Sequence, residues 1–274
     1  MNNAERIANL KPEQYQELFA VKKKTFDKML EILEADYQKK HLQGGRPPKL
    51  SVLDKLIIML QYDKEYHVMD ASPLITASVK VQFATRFIGR RRRLSEAASS
   101  AFRPKGSCGG IRNWKSSFWT LRNAKSNVRR RNSVNITPVK KRHAMKIQII
   151  ADKKTRNILC VFFGTGRTHD FQLYKNSKTH MPDKIESVED KGFQGLQKLH
   201  ANSTIPVKAS KNHKLAKEEK KLNREISKRR IEIEHVNRYI KRFHILSYRY
   251  RNKRKRFALR ASLICGIYNF QHAS

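Results

Sequence analysis

Acidic residues are scarce in this chain of 274 residues. It has 23 Asp and Glu against 60 Lys and Arg, which gives a formal net charge of +37. Because so large an excess of one sign must be solvated or neutralised, the composition excludes an ordinary balanced surface and favours a polyanionic partner. Nucleic acid is the first candidate, since binding to phosphates releases counterions and supplies affinity, and an anionic membrane surface is the second.

Long apolar runs and closely spaced cysteines are also lacking. No apolar segment approaches the roughly 18 residues of a membrane span, and the polar start MNNAERIANLKPEQ contains no hydrophobic core of a secretory signal. The three cysteines, Cys108, Cys160 and Cys265, form neither a CxxC pair nor a Cys/His ligand spacing, which argues against a zinc site. We therefore expect a cytoplasmic protein without a membrane partner.

The N-terminal part of the chain has helical patterns. A Lys-Pro-Glu sequence at residues 11–13 begins one helix, and Thr25 begins a second helix with apolar periodicity. A Gly-Arg-Pro-Pro-Lys turn at residues 45–49 interrupts the chain, and Ser51 is a candidate N-cap for the Leu-rich helix that follows. Residues 1–70 are therefore predicted to form a small helical region.

Strand patterns dominate the next interpretable part of the chain. Residues 145–150 alternate, residues 152–157 suit a turn, and residues 158–163 are apolar, which predicts a hairpin. Residues 184–188 read as a short strand that ends near Asp190. An Asp at a strand end followed by glycine suits metal coordination, and it suits a plain turn equally well.

The segment from Asn223 to Phe243 contains neither glycine nor proline, and its apolar residues recur at helical spacing, which predicts one long helix. At about 100° per residue, Arg230, Glu234 and Lys241 fall on one side of that helix. This arrangement fits an ordinary ion-pair face between neighbouring turns. It also fits a carboxylate held for a metal ion, with flanking cations that bind phosphate.

Three of these motifs together resemble bacterial insertion-sequence transposases of the DDE superfamily, the DDE endonuclease type. They are His-Asp-Phe at residues 169–171, Asp-x-Gly-aromatic-x-Gly at residues 190–195, and Arg-x3-Glu-x6-Lys at residues 230–241. The basic turn before the helix at Ser51 also resembles the helical DNA-binding region of that family, although many basic turns would look similar. The resemblance covers residues 140–270 well and residues 44–70 weakly.

The resemblance implies an α/β fold with an RNase H-like catalytic domain at residues 140–274. A small helical DNA-binding region of the helix-turn-helix type, residues 1–70, would precede it, and residues 71–139 would disrupt the fold in the middle. It also implies metal-dependent DNA cleavage and strand transfer at insertion-sequence ends. In such enzymes three carboxylates hold two Mg²⁺ (or Mn²⁺) ions.

The same resemblance assigns roles to individual residues. Asp190 and Glu234 would be the second and third catalytic acids and metal ligands. Asp170 and His169 would support the site from its rim, although Asp170 is equally suited to cap the helix after it. The predicted DNA-binding residues are Arg230, Lys241, Arg224, Lys140, Lys141 and Arg142. The implied partners are the insertion-sequence ends and the target DNA in the bacterial nucleoid, and a homodimer is compatible with the family.

The first catalytic acid of the family has no counterpart, because no Asp or Glu lies between Glu96 and Asp152. The codon TGG of Trp119 followed by the AC of Thr120 contains GAC, an Asp codon, in another phase. Continued through Val139, that phase permits LDATECKIERPKKKQRKYYSGK, which resembles the first catalytic motif, Asp-Ala-Thr-Glu, and the basic segment after it. We hypothesise that residues 71–139 are translated out of frame between two compensating indels.

That hypothesis gains support from residues 71–83, where the same phase permits IAFDYGVSKSTIC, similar to a helix-turn-helix. A chain without the first acid is predicted to be a degenerate, catalytically inactive transposase that still binds DNA. Asp152 is a poor substitute, because it lies in a turn beyond the next strand. The alternative is a non-catalytic basic DNA- or RNA-binding protein whose acids are only structural.

Overall fold

The computed structural model describes part of the chain: residues 3–42, 44, 48–66, 117–119, 126–128, 143–179, 181–209, 214–248, 250, 252 and 256–272. The hypothesised helix-turn-helix at residues 71–83 and the predicted DNA-binding residues Lys140, Lys141 and Arg142 lie outside the described residues.

Four helices form the N-terminal region: α1 (Asn3–Ala8), α2 (Pro12–Phe19), α3 (Lys23–His41) and α4 (Val52–Glu65). The helices expected from residues 11–13, Thr25 and Ser51 are confirmed. Ser51 caps α4, because its Oγ accepts from the Asp54 backbone N at 3.0 Å while the Ser51 backbone N donates back to the Asp54 carboxylate. Helix α1 has no buried residue, so no apolar pattern could have predicted it.

The central sheet is built around the predicted hairpin, which is confirmed as β3 (His143–Asp152) and β4 (Ile158–Thr165). Two unpredicted short strands, β1 (Ser117–Trp119) and β2 (Ser126–Val128), pair with the other edge of β3. A separate parallel pair consists of β5 (Ser187–Val188) and β6 (Ser203–Thr204). Because β1 lies beside β5, these strands bring the hairpin next to the backbone that leads into Asp190.

The remaining helices follow the sheet: α5 (Asp170–Asn176), α6 (Lys217–Arg229), α7 (Ile231–Lys241), α8 (His244–Ser247) and α9 (Phe257–His272). The prediction of one long helix from Asn223 to Phe243 is wrong, because the chain breaks between α6 and α7 at Arg230. Ile226 of α6 packs on Val188 of β5, whereas Ile233 of α7 packs in the main core. The two helices therefore bury their apolar residues against different parts of the molecule.

Both faces of the hairpin are covered. Ile147 and Ile149 of β3 face the main core, which α2, α3, α4, α7, α8 and α9 also form. Ile150 points to a second cluster with Tyr174 of α5 and Phe193. The N-terminal helices thus share one hydrophobic core with the helix that carries Glu234. None of the described helices combines the length and apolarity that crossing a membrane requires.

Candidate functional site

Asp190 lies where the chain leaves β5 and turns into a short 3-10 helix, Lys191–Phe193. Its Oδ1 accepts a hydrogen bond from the Lys191 backbone N at 2.7 Å, which fixes one carboxylate oxygen at the turn. The side chain is 40% exposed. The acid is thus held in position by backbone and is still reachable from solvent.

Arg230 brings the two predicted catalytic acids together. Its Nη1 is 3.4 Å from Asp190 Oδ1, and its Nη2 is 3.8 Å from Glu234 Oε1. The Arg230 side chain is 14% exposed, whereas the Glu234 side chain is 36% exposed. The boundary between α6 and α7 lies at Arg230 itself, the residue whose guanidinium meets both carboxylates. A cation therefore occupies the space between acids that are 44 residues apart in the sequence.

A third carboxyl group, that of Glu189, is fully buried, and this residue directly precedes Asp190. Burial raises the pKa of Glu189 to about 8, although the Ser187 hydroxyl and the charge of Arg230 act in the opposite direction. Burial also raises the pKa of Tyr174 to about 12, and the charge of the Glu189 carboxylate acts in the same direction. Glu189 is thus a neutral acid at moderate pH, and sequence reasoning did not single it out.

Asp170 connects the hairpin to the turn of Asp190. Its Oδ1 is 2.8 Å from Lys146 Nζ on β3, and its backbone carbonyl accepts from Gln148 Nε2 at 2.8 Å. On the other side, a Cβ atom added to Gly192 would lie 2.6 Å from Asp170 Oδ2. The absence of a side chain at Gly192 therefore lets the carboxylate approach the turn.

The remaining predicted site residues lie further out. His169 is exposed and stands at the N-cap of α5 without a side-chain hydrogen bond to the helix. Asp170 is the first residue of α5 and binds Lys146, so its side chain is not the N-cap that the sequence left open. Lys241 is exposed at the far end of α7, and Arg224 is exposed on α6.

The described residues contain no group of three or more His, Cys, Asp or Glu side chains that could hold a metal ion. Asp190 and Glu234 supply two carboxylates around a position where a cation fits. Asp152 does not complete the set, because its oxygens accept hydrogen bonds from the Lys154 backbone N and the Thr155 hydroxyl in the hairpin turn. In the described residues, the arrangement therefore joins two carboxylates to one guanidinium.

Sequence reasoning missed the buried partner of Asp170. Lys146 is 8% exposed and stands on the face of β3 that it shares with Gln148 and Ile150. A lysine at an inward position of an apolar strand is itself a signal, because a buried ammonium group needs a carboxylate partner. The identity of that partner, however, depends on how the loop before α5 folds back.

Comparison with known proteins identifies relatives of the chain. A family model described as DDE superfamily endonuclease matches residues 120–269, a match that begins directly after β1. A relative from Microchaete diplosiphon, described as a probable transposase for insertion sequence element IS702, is 32% identical over 278 residues, which cover 98% of each protein. No solved structure is significantly similar to the chain.

Proposed function

The chain belongs to the DDE superfamily of insertion-sequence transposases, and we propose that Asp190 and Glu234 are the second and third acids of its catalytic metal site. One observation carries the proposal: both carboxylates lie within 4 Å of the Arg230 guanidinium, at 3.4 and 3.8 Å. Acids that share one counter-ion can also share a metal ion, because the space between them already accommodates positive charge.

Divalent metal ions are generally used by this superfamily, and Asp190 and Glu234 would hold Mg²⁺ or Mn²⁺. Carboxylate oxygens are suitable ligands for both ions. When bound, such ions activate the attacking oxygen and stabilise the leaving oxygen during phosphoryl transfer. Because the two side chains are 40% and 36% exposed, the DNA backbone at an element end or in a target can reach them.

The cations around the acids would hold the DNA. Arg230 is the nearest of them, and a guanidinium binds phosphate oxygens bidentately once its carboxylates have another counter-ion. Lys241 and Arg224 are exposed and would contact backbone phosphates further from the reacting bond. The cluster at residues 140–142 lies outside the described residues, and its DNA-binding role rests on the sequence alone.

Asp170 would support the site by positioning the turn that carries Asp190. The Lys146–Asp170 ion pair joins β3 to the loop before α5, and Gly192 lets Asp170 lie against the turn that begins at Asp190. This contact would fix the direction of the Asp190 carboxylate relative to the sheet. His169, exposed beside Asp170, would act at the rim of the site.

The fold would be RNase H-like. The chain would be catalytically inactive, because it lacks the first of the three catalytic acids. The place for that acid is supported by the backbone: β1 ends at Trp119, pairs with β3 through Trp119 and Ile150, and lies beside β5. An Asp encoded at the junction of Trp119 and Thr120 would therefore lie at the end of the strand beside the one that leads to Asp190. This position suits the out-of-frame hypothesis for residues 71–139.

A non-catalytic basic DNA- or RNA-binding protein is the second candidate. The same Arg230 contacts favour it in one respect, because carboxylates that are neutralised by an internal arginine can be purely structural. Metal binding distinguishes the catalytic candidate from the non-catalytic one. A structural ion-pair set needs no metal ion, whereas a catalytic set must bind one.

The first test is a Mn²⁺ titration of the full chain, followed by electron paramagnetic resonance of the free ion. We expect binding that is strongly weakened by Asp190→Asn and by Glu234→Gln, and unchanged by the control Glu186→Gln. Binding that ignores both substitutions would favour the second candidate. Inactivity is tested separately with Mg²⁺ and labelled element ends: the chain as it stands should not transfer strands, and a frame-restored chain should do so until Asp190→Ala is introduced.

A further inference from the structure

Helix α6 carries five exposed cations on one face: Lys217, Lys220, Lys221, Arg224 and Lys228. At about 100° per residue they fall within an arc of about 100°, and Ile226 projects from the opposite side. We call these five side chains the basic stripe. Its cations form a continuous row, since acidic residues of the same helix, such as Glu218 and Glu225, lie outside the arc.

The opposite side of α6 is fixed to the rest of the protein. Ile226 is buried against Val188 of β5. The Asn223 side chain forms two hydrogen bonds with the Val207 backbone, accepting from its N at 2.8 Å and donating to its carbonyl at 3.0 Å. These contacts leave the basic stripe facing solvent and prevent the helix from rotating it inward.

The described residues leave the charges of the basic stripe uncompensated. In the part of the chain that the structure describes, none of the five side chains forms an ion pair. Arg229, which lies outside the arc, is paired with Glu186. Five unpaired cations on one fixed face need an anionic partner, because their mutual repulsion is otherwise relieved only by solvent and salt.

The spacing of the charges fits one strand of a duplex. Lys217 and Lys228 are eleven residues apart, which is about 16 Å along a helix axis, so the five cations of the basic stripe follow one another at an average of about 4 Å. One strand of duplex DNA carries a phosphate for about every 3.4 Å of its axis. Helix α6 also ends one residue before Arg230, so a backbone that follows the stripe runs towards Asp190 and Glu234.

We propose that the basic stripe is a docking surface for the backbone of duplex DNA next to the bond that the site would cleave. This inference rests on the proposed function and adds the surface that holds the flanking duplex. The contacts are to phosphates and carry no sequence information, so the stripe fixes the direction of the duplex and leaves sequence recognition to other parts of the protein.

The test measures how salt weakens binding of the full chain to a fluorescent duplex of arbitrary sequence. The stripe variant carries Lys217→Gln, Lys221→Gln, Arg224→Gln and Lys228→Gln. A control variant carries four exposed substitutions of the same charge elsewhere: Lys23→Gln, Lys24→Gln, Lys154→Gln and Lys184→Gln. In a plot of log affinity against log salt, we expect the stripe variant to lose about 0.9 of slope per phosphate contact, or about 3 to 4 in all.

The control variant should keep the wild-type slope to within about one contact. Equal losses in both variants, or no loss in the stripe variant, would overturn the proposal. Equal slope changes with a single-stranded RNA or with phosphatidylserine vesicles would also overturn it, because the surface would then bind any polyanion. If the stripe variant still binds Mn²⁺ through Asp190 and Glu234, the docking surface and the metal site are separable. If wild type never binds Mn²⁺ but shows the stripe-dependent slope, only the proposed function fails.

As a check on folding, the single substitution Arg224→Gln should reduce the slope by about one, with an unchanged circular dichroism spectrum. A change of the spectrum without a change of slope would count against the docking surface.

Discussion

Asp170 and Gly192 touch so closely that a Cβ atom on residue 192 would lie 2.6 Å from Asp170 Oδ2. The other carboxylate oxygen is held by Lys146 Nζ at 2.8 Å, so the carboxylate cannot turn away without breaking that ion pair. Gly192 is two residues beyond Asp190. The contact therefore couples a candidate metal ligand to strand β3.

We expect Gly192→Ala to lower the free energy of unfolding by about 1–3 kcal/mol, because the added methyl group overfills a tight contact. Urea unfolding followed by circular dichroism measures this loss. In an Asp170→Ser background the same substitution should be much less harmful, because the clashing oxygen is gone. An equal loss in both backgrounds would show that Gly192 is needed for another reason.

Replacing Arg230 should change the affinities for Mn²⁺ and for DNA in opposite directions. We expect Arg230→Gln to bind Mn²⁺ several-fold more tightly than wild type, because the guanidinium no longer competes for Asp190 and Glu234. The same variant should bind DNA more weakly. Arg229→Gln is the matched control, since Arg229 pairs with Glu186, and it should leave Mn²⁺ affinity unchanged. Weaker Mn²⁺ binding by Arg230→Gln would contradict the competition.

Glu189 predicts a specific pH dependence of stability. Burial raises its pKa from the ordinary 4.5 to about 8, so the folded protein holds this proton more tightly than the unfolded chain does. The stabilisation is complete below the unfolded pKa and is lost as pH rises through about 8. In EDTA, the melting temperature of wild type should therefore fall between about pH 5 and 8 more steeply than that of Glu189→Gln. If the melting temperatures of wild type and Glu189→Gln changed in parallel across this pH range, the raised pKa of Glu189 would be contradicted.

The N-terminal cap of α4 offers a test of the helical region. Ser51→Ala removes the side-chain oxygen that accepts from the Asp54 backbone N, and we expect a loss of about 1 kcal/mol in unfolding free energy. Ser51→Thr is the control, with near wild-type stability expected, because it keeps the hydroxyl that accepts from the Asp54 backbone N and donates to the Asp54 carboxylate. Identical denaturation curves for Ser51→Ala and wild type would mean that α4 is held by its apolar face alone.

The sequence predicted those parts of the fold in which local pattern and tertiary structure agree. Helix α4 has a capping residue and a buried face, and the β3–β4 hairpin has alternation followed by a turn, so both were found. The break at Arg230 was not, because the helical period continues through it and only the three-dimensional structure shows that Ile226 and Ile233 pack in separate clusters. Strands β1 and β2 are three residues each, too short for any periodicity to identify.

The candidate site likewise contains residues that the sequence predicts and residues that only the fold reveals. Motif spacing predicts Asp190 and Glu234 as site residues, and the structure brings both into contact with Arg230. Lys146 and Gly192 were missed, because their importance arises only when Asp170 reaches both of them across the fold. Their roles in catalysis, like those of the two acids, stay predictions until metal binding is measured.

The helix that carries Glu234 is fastened directly to the N-terminal helices. Tyr239, one turn beyond Glu234, donates a hydrogen bond to the Ala20 carbonyl at 3.1 Å and also contacts Gln271 of α9. The N-terminal helices and the part of the chain that carries Asp190 and Glu234 should consequently unfold in a single cooperative step. A substitution near Ala20 would then separate the Asp190 and Glu234 carboxylates as effectively as a substitution beside them, so a decaying copy of the gene can lose the proposed metal site without any change to the two acids themselves.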